Sequence, residues 1–290
     1  MQVSNDVGLV LQGGGTRGIF VAGVLDAMID AGLDFQYVIG TSAGALAGSN
    51  YISGDPGRTK FLIIHCMKSM KFASPANLLF LGTFFNFDYL MNEVPVKVAP
   101  MNFERFNENP ARFQVATLAV ADGKAHYFEK KSCSQFTKAI VASSSLPYIS
   151  KPVLVEGHYY LDGGPVAAIP FRKPLEDGIK KLVIVETRDP SYRKSPTKKS
   201  DIRRAHAFYG KHKDLCASIA ASHETYNQDV EDINKLKDEG RAFVIQPQSP
   251  VTVGRAERNE KKLEALYQEG FDLAKSLLPD LLKFLGESDE

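Results

Sequence analysis

The chain has 290 residues, 44% of them hydrophobic and 24% charged, with a net charge of +1 at pH 7. That length supports one α/β domain with a large core that needs no disulfide or metal staple. The near-neutral balance points away from nucleic acid and from strongly acidic partners. Three scattered cysteines, Cys66, Cys133 and Cys216, predict buried thiols in a reducing compartment. The first fifteen residues lack a basic start followed by a long apolar run, so no signal peptide is expected. No stretch approaches the roughly 18 uninterrupted apolar residues of a membrane span. The expectation is a cytoplasmic protein.

In chain order, Val7–Leu11 is a short apolar run ending in glycines and reads as a buried parallel strand. Residues 17–31 follow with helical spacing through Phe20, Val24, Leu25 and Met28, and Gly32 stops them. Residues 35–39 read as a second strand and 43–52 as a second helix, rich in small residues. This opening predicts a sheet with helices on both faces. A helix is expected over 58–70. The stretch 72–89 is crowded with Leu and Phe but has no clean period, and reads either as core or as a lid or acyl-chain wall. Strands 113–120 and 126–128 flank an Asp122-Gly123 turn, a hairpin signal. A short helix over Phe136–Ser143 and a second hairpin, 152–155 and 159–161 around Glu156-Gly157, come next. Strands are expected at 181–186 and 241–245, a helical region between them over 202–234, and a last helix over 258–284 with a break at Pro279. No internal repeat or long linker appears, so 1–290 reads as a single domain. Its motif-bearing core spans about 7–190, and its C-terminal helical and strand extension about 191–290.

Three segments carry chemistry. The first is Gln12-Gly13-Gly14-Gly15-Thr16-Arg17-Gly18, between a strand and a helix N-terminus. Backbone N–H groups and the positive end of a helix dipole face whatever binds there, and glycines let backbone approach an anion. Gly13, Gly15 and Gly18 also satisfy the dinucleotide-binding fingerprint. That reading wants an acidic residue at the end of the second strand. The sequence supplies Gly40-Thr41-Ser42-Ala43-Gly44 instead, a Gly-x-Ser-x-Gly nucleophile elbow that exposes a serine hydroxyl. The alternative for Ser42 is a plain helix N-cap. A serine needs a base within hydrogen-bond reach. Leu161-Asp162-Gly163-Gly164, closing a strand, offers one; the alternative is an Asp-Gly turn. A Ser-His-Asp triad with histidine last in the chain would draw on His206, His212 or His223.

Taken together, the glycine loop at 13–18, the elbow at 40–44 and the Asp-Gly-Gly at 162–164 resemble the patatin-like phospholipase family, in its motifs and in their order. The segment Ala142-Ser143-Ser144-Ser145-Leu146-Pro147 is similar to that family's Ala-Ser-rich stretch ending in proline. The resemblance covers about residues 7–190 and implies a three-layer αβα fold with a mainly parallel central sheet. It implies a Ser42–Asp162 dyad without histidine, acting on lipid esters such as (lyso)phospholipids through an acyl-enzyme. It places the oxyanion hole at Gly13, Gly14, Gly15 and Arg17, with Gly18, Gly40, Ala43, Gly44, Gly163 and Gly164 supporting the motifs. No cofactor and no metal is implied. The basic stretch 188–213 reads either as a solvated face or as a peripheral contact with an anionic membrane surface. The competing functions are a catalytically silent lipid-binding or regulatory protein and a nucleotide-binding oxidoreductase.

Overall fold

The computed structural model describes residues 1–286. β1 (Val7–Leu11) lies at the centre of an eight-stranded sheet. A 3-10 turn at Gly15–Arg17 leads into α1 (Gly18–Asp30), then β2 (Tyr37–Thr41) and α2 (Ala43–Ser53). The second strand therefore begins and ends two residues later than the apolar run suggests. Parallel pairing, Leu11 with Gly40 and Thr41 with Ala116, carries the ladder past Ile39 and through Gly40. The expected helix at 58–70 shortens to α3 (Arg58–Phe61), which opens into a wider π turn at Leu62–Cys66. α4 (Pro75–Phe80), a second π segment (Tyr89–Val98) and α5 (Phe103–Glu108) follow.

Both expected hairpins form: β3 (Arg112–Ala119) with β4 (Ala125–Glu129), and β5 (Val153–Val155) with β6 (His158–Asp162), with α6 (Phe136–Ser143) between them. After α7 (Arg172–Glu176) and β7 (Lys181–Val185), the helical region is two helices, α8 (Lys199–Tyr209) and α9 (Lys213–Asp238), separated at Gly210. β8 (Ala242–Ile245) completes the sheet. α10 (Glu260–Ser276) and α11 (Leu278–Leu285) break just before Pro279, as expected.

β1, β2, β3, β7 and β8 run parallel, while β4, β5 and β6 are antiparallel additions. Alternation along the buried strands divides the core. Leu9, Leu11, Val183 and Val185 face α1, α2, α6 and α10; Val10, Ile39, Leu182 and Ile184 face α9. These are the three layers the sequence implied. The C-terminal extension covers α1 at close range: a Cβ on Gly23 would stand 2.1 Å from the Tyr267 carbonyl oxygen, and one on Gly270 would stand 2.4 Å from that of Phe20. Among the described residues no helix is long and apolar enough to cross a membrane.

β3 fixes the geometry of the site. β4 occupies one of its edges over residues 114–118. On the other edge, Thr41 of β2 pairs with Ala116, and Asp162 of β6 pairs with the next residue, Thr117. β2 and β6 therefore meet end to end along one strand. The residue after Thr41 and the last residue of β6 become neighbours although 120 positions separate them in sequence.

Candidate active site

Ser42 sits between β2 and α2 with φ 55° and ψ −120°. A side chain in that region costs on the order of 1–3 kcal/mol and persists only where the surroundings enforce it. Two close approaches enforce it here. A Cβ on Gly40 would stand 2.5 Å from the Gly44 backbone, and one on Gly44 2.3 Å from the Leu11 carbonyl oxygen. Only glycines allow the strand to turn into the helix this tightly. Ser42 makes no side-chain cap for α2, so the plain N-cap reading fails and its hydroxyl stays free for other chemistry. Its backbone N–H donates to Ser143 Oγ at 2.8 Å, and Ser143 Oγ–H donates to the Ala116 carbonyl at 2.7 Å. Ser143 thus ties the elbow to β3. Ser143→Ala is expected to lower kcat about tenfold with KM unchanged in steady-state ester hydrolysis, since it loosens the Ser42 elbow without touching the cavity wall.

Asp162 is 2% exposed. The Gly164 N–H donates to its Oδ1 at 2.7 Å, and its own N–H donates to the Ser145 carbonyl at 2.9 Å. Burial pushes the carboxyl up from 3.8 to about 6. The neighbouring Ser42 hydroxyl, the Gly164 N–H, Arg255 and Lys194 each favour the ionised form and oppose that rise. Oδ2 is buried and has no partner in full hydrogen-bond geometry. A carboxylate with one unspent oxygen beside a serine hydroxyl, and an affinity for protons close to neutrality, is suited to take a proton. Gly163 lets β6 end against β3: a Cβ there would stand 2.6 Å from the Ala116 carbonyl oxygen.

The glycine loop runs beside the elbow. A Cβ on Gly13 would be 3.3 Å from Ser42 Cβ, and one on Gly18 2.7 Å from Ala43 Cβ. The Gly13 N–H, read from sequence as an oxyanion donor, is spent: it donates to the Ala168 carbonyl at 3.0 Å. Among the described residues the N–H groups of Gly14 and Gly15 carry no such partner. Arg17 is buried rather than displayed on the first helical turn, at 6% exposure, and its Nε has no hydrogen-bond partner. Burial and then the nearby Arg188 and Arg255 lower its guanidinium to about 10, so it stays charged at neutral pH. Thr16 N–H donates to the Arg255 carbonyl at 3.0 Å, and Thr16 Oγ1 donates to that of Gly254 at 2.8 Å. Gly15, at φ +60°, lies so close under Arg255 that a Cβ would be 2.4 Å from its carbonyl oxygen. The segment 254–255 thus packs directly against the loop, and the second strand ends in the elbow rather than in the ribose-binding acid that the oxidoreductase reading requires.

Ser42 opens onto a cavity of about 120 Å³. Leu46, Leu62, Met67, Phe72 and Phe87 provide most of its wall, with Ser144 and Arg255 among the polar residues at its edge. The stretch 72–89 is thus both wall and surface: Phe72 is buried and Phe85 and Phe87 line the cavity, whereas residues 78–81 are exposed. No histidine lines this cavity. His223 Nδ1 meets the Ala220 carbonyl and Thr197, and His206 and His212 are on the outside of α8 and its following turn. Arg255 and Lys194 were not legible as site residues. Lys194 Nζ is held by Ser222, and burial, then Arg255, lowers it to about 8. The three cysteines are buried free thiols, as expected.

Known proteins resemble this chain in sequence. The sequence profile described as patatin-like phospholipase matches residues 9–175, and one described as a domain of unknown function (DUF6363) matches 212–286. The chain is similar to the uncharacterized protein YjjU of Escherichia coli, 29% identical over 252 residues, which are 84% of this chain and 69% of that protein. Patatin-like phospholipase domain-containing protein 6 of Homo sapiens is 27% identical over 191 residues, covering 63% of this chain and 13% of its own length. Lysophospholipase nte1 of Emericella nidulans is 29% identical over 169 residues, 54% of this chain and 10% of that protein. The chain thus spans only a small part of these two longer relatives. Among solved structures, VipD from Legionella pneumophila matches with a TM-score of 0.49 and 15% identity over 96% of this chain and 67% of that one. With the profile spanning more than half of the sequence and both Ser42 and Asp162 inside it, the chain belongs to the patatin-like phospholipase family, a family of lipid ester hydrolases.

Proposed function

We propose that this protein hydrolyses the carboxylic ester of a lipid, a lysophospholipid or phospholipid, through a Ser42–Asp162 dyad and an acyl-enzyme. The observation that carries the reading is Ser42 at positive φ, beside a buried carboxyl, at the mouth of an apolar cavity. In the first step Asp162 accepts the Ser42 proton as Oγ attacks the ester carbonyl. The oxyanion is held by the N–H groups of Gly14 and Gly15, with Arg17, Arg255 and Lys194 adding positive potential from behind. The protonated Asp162 gives its proton to the departing alcohol. It then takes one from water as the acyl-enzyme is attacked and returns it to Ser42 Oγ as the fatty acid leaves. The acyl chain lies along the wall formed by Leu46, Leu62 and Phe87. The intact dyad argues against a silent lipid-binding protein. We also read 1–290 as one unit, because α10 completes the core over α1.

The test is release of free fatty acid from lysophosphatidylcholine, with a series of p-nitrophenyl esters to map chain length. Saturable hydrolysis that favours medium or long acyl chains and is stopped by a fluorophosphonate is expected. A folded protein inert toward every ester would sink the proposal. Gly15→Ala adds a Cβ where the Arg255 carbonyl already lies. It is expected to cost about 10²–10³-fold in kcat while the protein remains folded by circular dichroism.

A further inference from the structure

We propose that residues 78–81 form an anchor that inserts into an anionic lipid bilayer and seats the mouth of the Ser42 cavity on the membrane surface. This rests on the lipid-ester reading only for its purpose; the surface itself is read independently. α4 buries none of its residues. Leu78, Leu79, Phe80 and Leu81 are 43%, 78%, 81% and 44% exposed, four consecutive large apolar side chains in water. Single exposed apolar residues are ordinary, but a contiguous cluster at a protruding tip marks a surface that meets something apolar.

The segment is closed on itself at its base and held to the body through the Phe84 N–H, which donates to the Ile149 carbonyl at 2.7 Å. Its neck is closed by an antiparallel bridge between Ala73 and Phe85, with Asn86 N–H donating to the Phe72 carbonyl at 2.7 Å and Ser74 N–H to that of Phe84 at 3.2 Å. Ser74 Oγ caps α4 through the Asn77 N–H, and Asn77 Nδ2 reaches back to the Phe72 carbonyl at 3.1 Å. Phe72 and Phe85, packed with ring centroids 5.5 Å apart, are at once the base of the tip and part of the cavity wall. The exposed apolar surface is therefore continuous with the pocket that would take the acyl chain.

Charge selects the occupant. From Met67 to Phe87 the chain holds two lysines and no Asp or Glu. Lys68 is paired with Glu260, but Lys71 is exposed, and Lys151 approaches the tip from the 151 strand end, where its Nζ would lie 2.7 Å from a Cβ on Gly82. Apolar side chains flanked by Lys71 and Lys151, with the first acid of this stretch at Asp88 beyond the neck, suit the headgroup–acyl boundary of an anionic bilayer. A second copy of the chain would bring the same lysines against each other. The basic stretch 188–213 carries no comparable run of exposed apolar side chains, and part of its charge is already spent. Arg193 is paired with Glu231, Arg204 with Asp201, and Lys194 is turned inward to Ser222.

The protein has no tryptophan, so Phe80→Trp supplies a single tryptophan at the tip, excited selectively over the tyrosines. With vesicles of phosphatidylcholine containing phosphatidylglycerol, its emission is expected to shift to the blue and to be quenched by lipids brominated on the acyl chain. The double variant Leu79→Ser, Phe80→Ser is expected to reduce vesicle co-sedimentation at least about tenfold. Lys71→Gln is expected to weaken binding to anionic vesicles about fivefold. Hydrolysis of a water-soluble short-chain ester should stay within about twofold in all of them, because none of these residues lines the cavity. Co-sedimentation of the double variant equal to wild type, or emission untouched by brominated lipid, overturns the anchor. So does a wild-type dimer in sedimentation velocity that the double variant converts to monomer. Tip-dependent vesicle binding by a protein that hydrolyses no ester would keep the anchor and reject the hydrolase.

Discussion

Ser42→Ala is expected to lower ester hydrolysis by at least about 10⁴-fold and to abolish fluorophosphonate labelling, with the wild-type adduct mapping to the peptide that contains Ser42. The loss is large because the hydroxyl supplies the bond-forming electron pair. What remains is binding and the loop's N–H groups, which can still assist water weakly. The substitution leaves the fold untouched, since the neighbouring Gly40 and Gly44 backbones impose the turn, not the side chain. Alanine at φ 55° carries the same strain as serine there. Removing the hydroxyl also takes away a group that favours the ionised carboxyl, so Asp162 should hold its proton to still higher pH. Full labelling at another residue, or unchanged hydrolysis in Ser42→Ala, would place the nucleophile elsewhere.

Asp162→Asn separates catalysis from stability. The amide cannot accept the Ser42 proton, and hydrolysis is expected to fall by about 10³–10⁴-fold. Wild-type kcat/KM should rise about tenfold per pH unit up to about 6 and then level off, because the base works only when ionised. That limb disappears in Asp162→Asn. Stability moves the opposite way. The folded carboxyl binds its proton more tightly than the unfolded one, so the contribution of this group is greatest below about pH 4 and is lost as the pH rises through about 6. At pH 8 the buried charge costs about 3 kcal/mol, the equivalent of moving from 3.8 to about 6. Asparagine removes that cost while its Oδ1 still accepts from Gly164. The variant should therefore melt several degrees higher than wild type at pH 8 and no higher near pH 4. Thermal unfolding at both pH values checks this; an Asp162→Asn protein less stable than wild type at pH 8 would show the carboxylate to be a stabilising group instead. A site kept at the expense of stability is what a catalytic carboxylate predicts.

Much of this was legible in the chain because it is local. The apolar run Val7–Leu11, the glycine loop and the Gly40–Gly44 elbow each specify their own backbone geometry within a few residues, and the Asp122-Gly123 and Glu156-Gly157 turns did the same for the hairpins. The order of the three motifs was enough to indicate the family. Boundaries were less legible. The ladder with β1 and β3 decides that β2 reaches Thr41, and an apolar run alone cannot report where a partner strand ends. The division of 202–234 falls at Gly210, a local stop that the helical spacing on either side of it masks.

Local sequence therefore determined which serine would be bent into the strained elbow and which carboxylate would close a strand beside glycines. Only the tertiary structure decided that they meet, because Thr41 and Asp162 pair with consecutive residues of β3. The same long-range packing spent the Gly13 N–H on Ala168, buried Arg17, and brought Arg255 and Lys194 to the carboxyl from parts of the chain without a motif. Hydrogen-bond partners and desolvation come from neighbours in space. A residue's proton affinity and the freedom of its N–H are fixed by segments a hundred positions away, which no local pattern encodes.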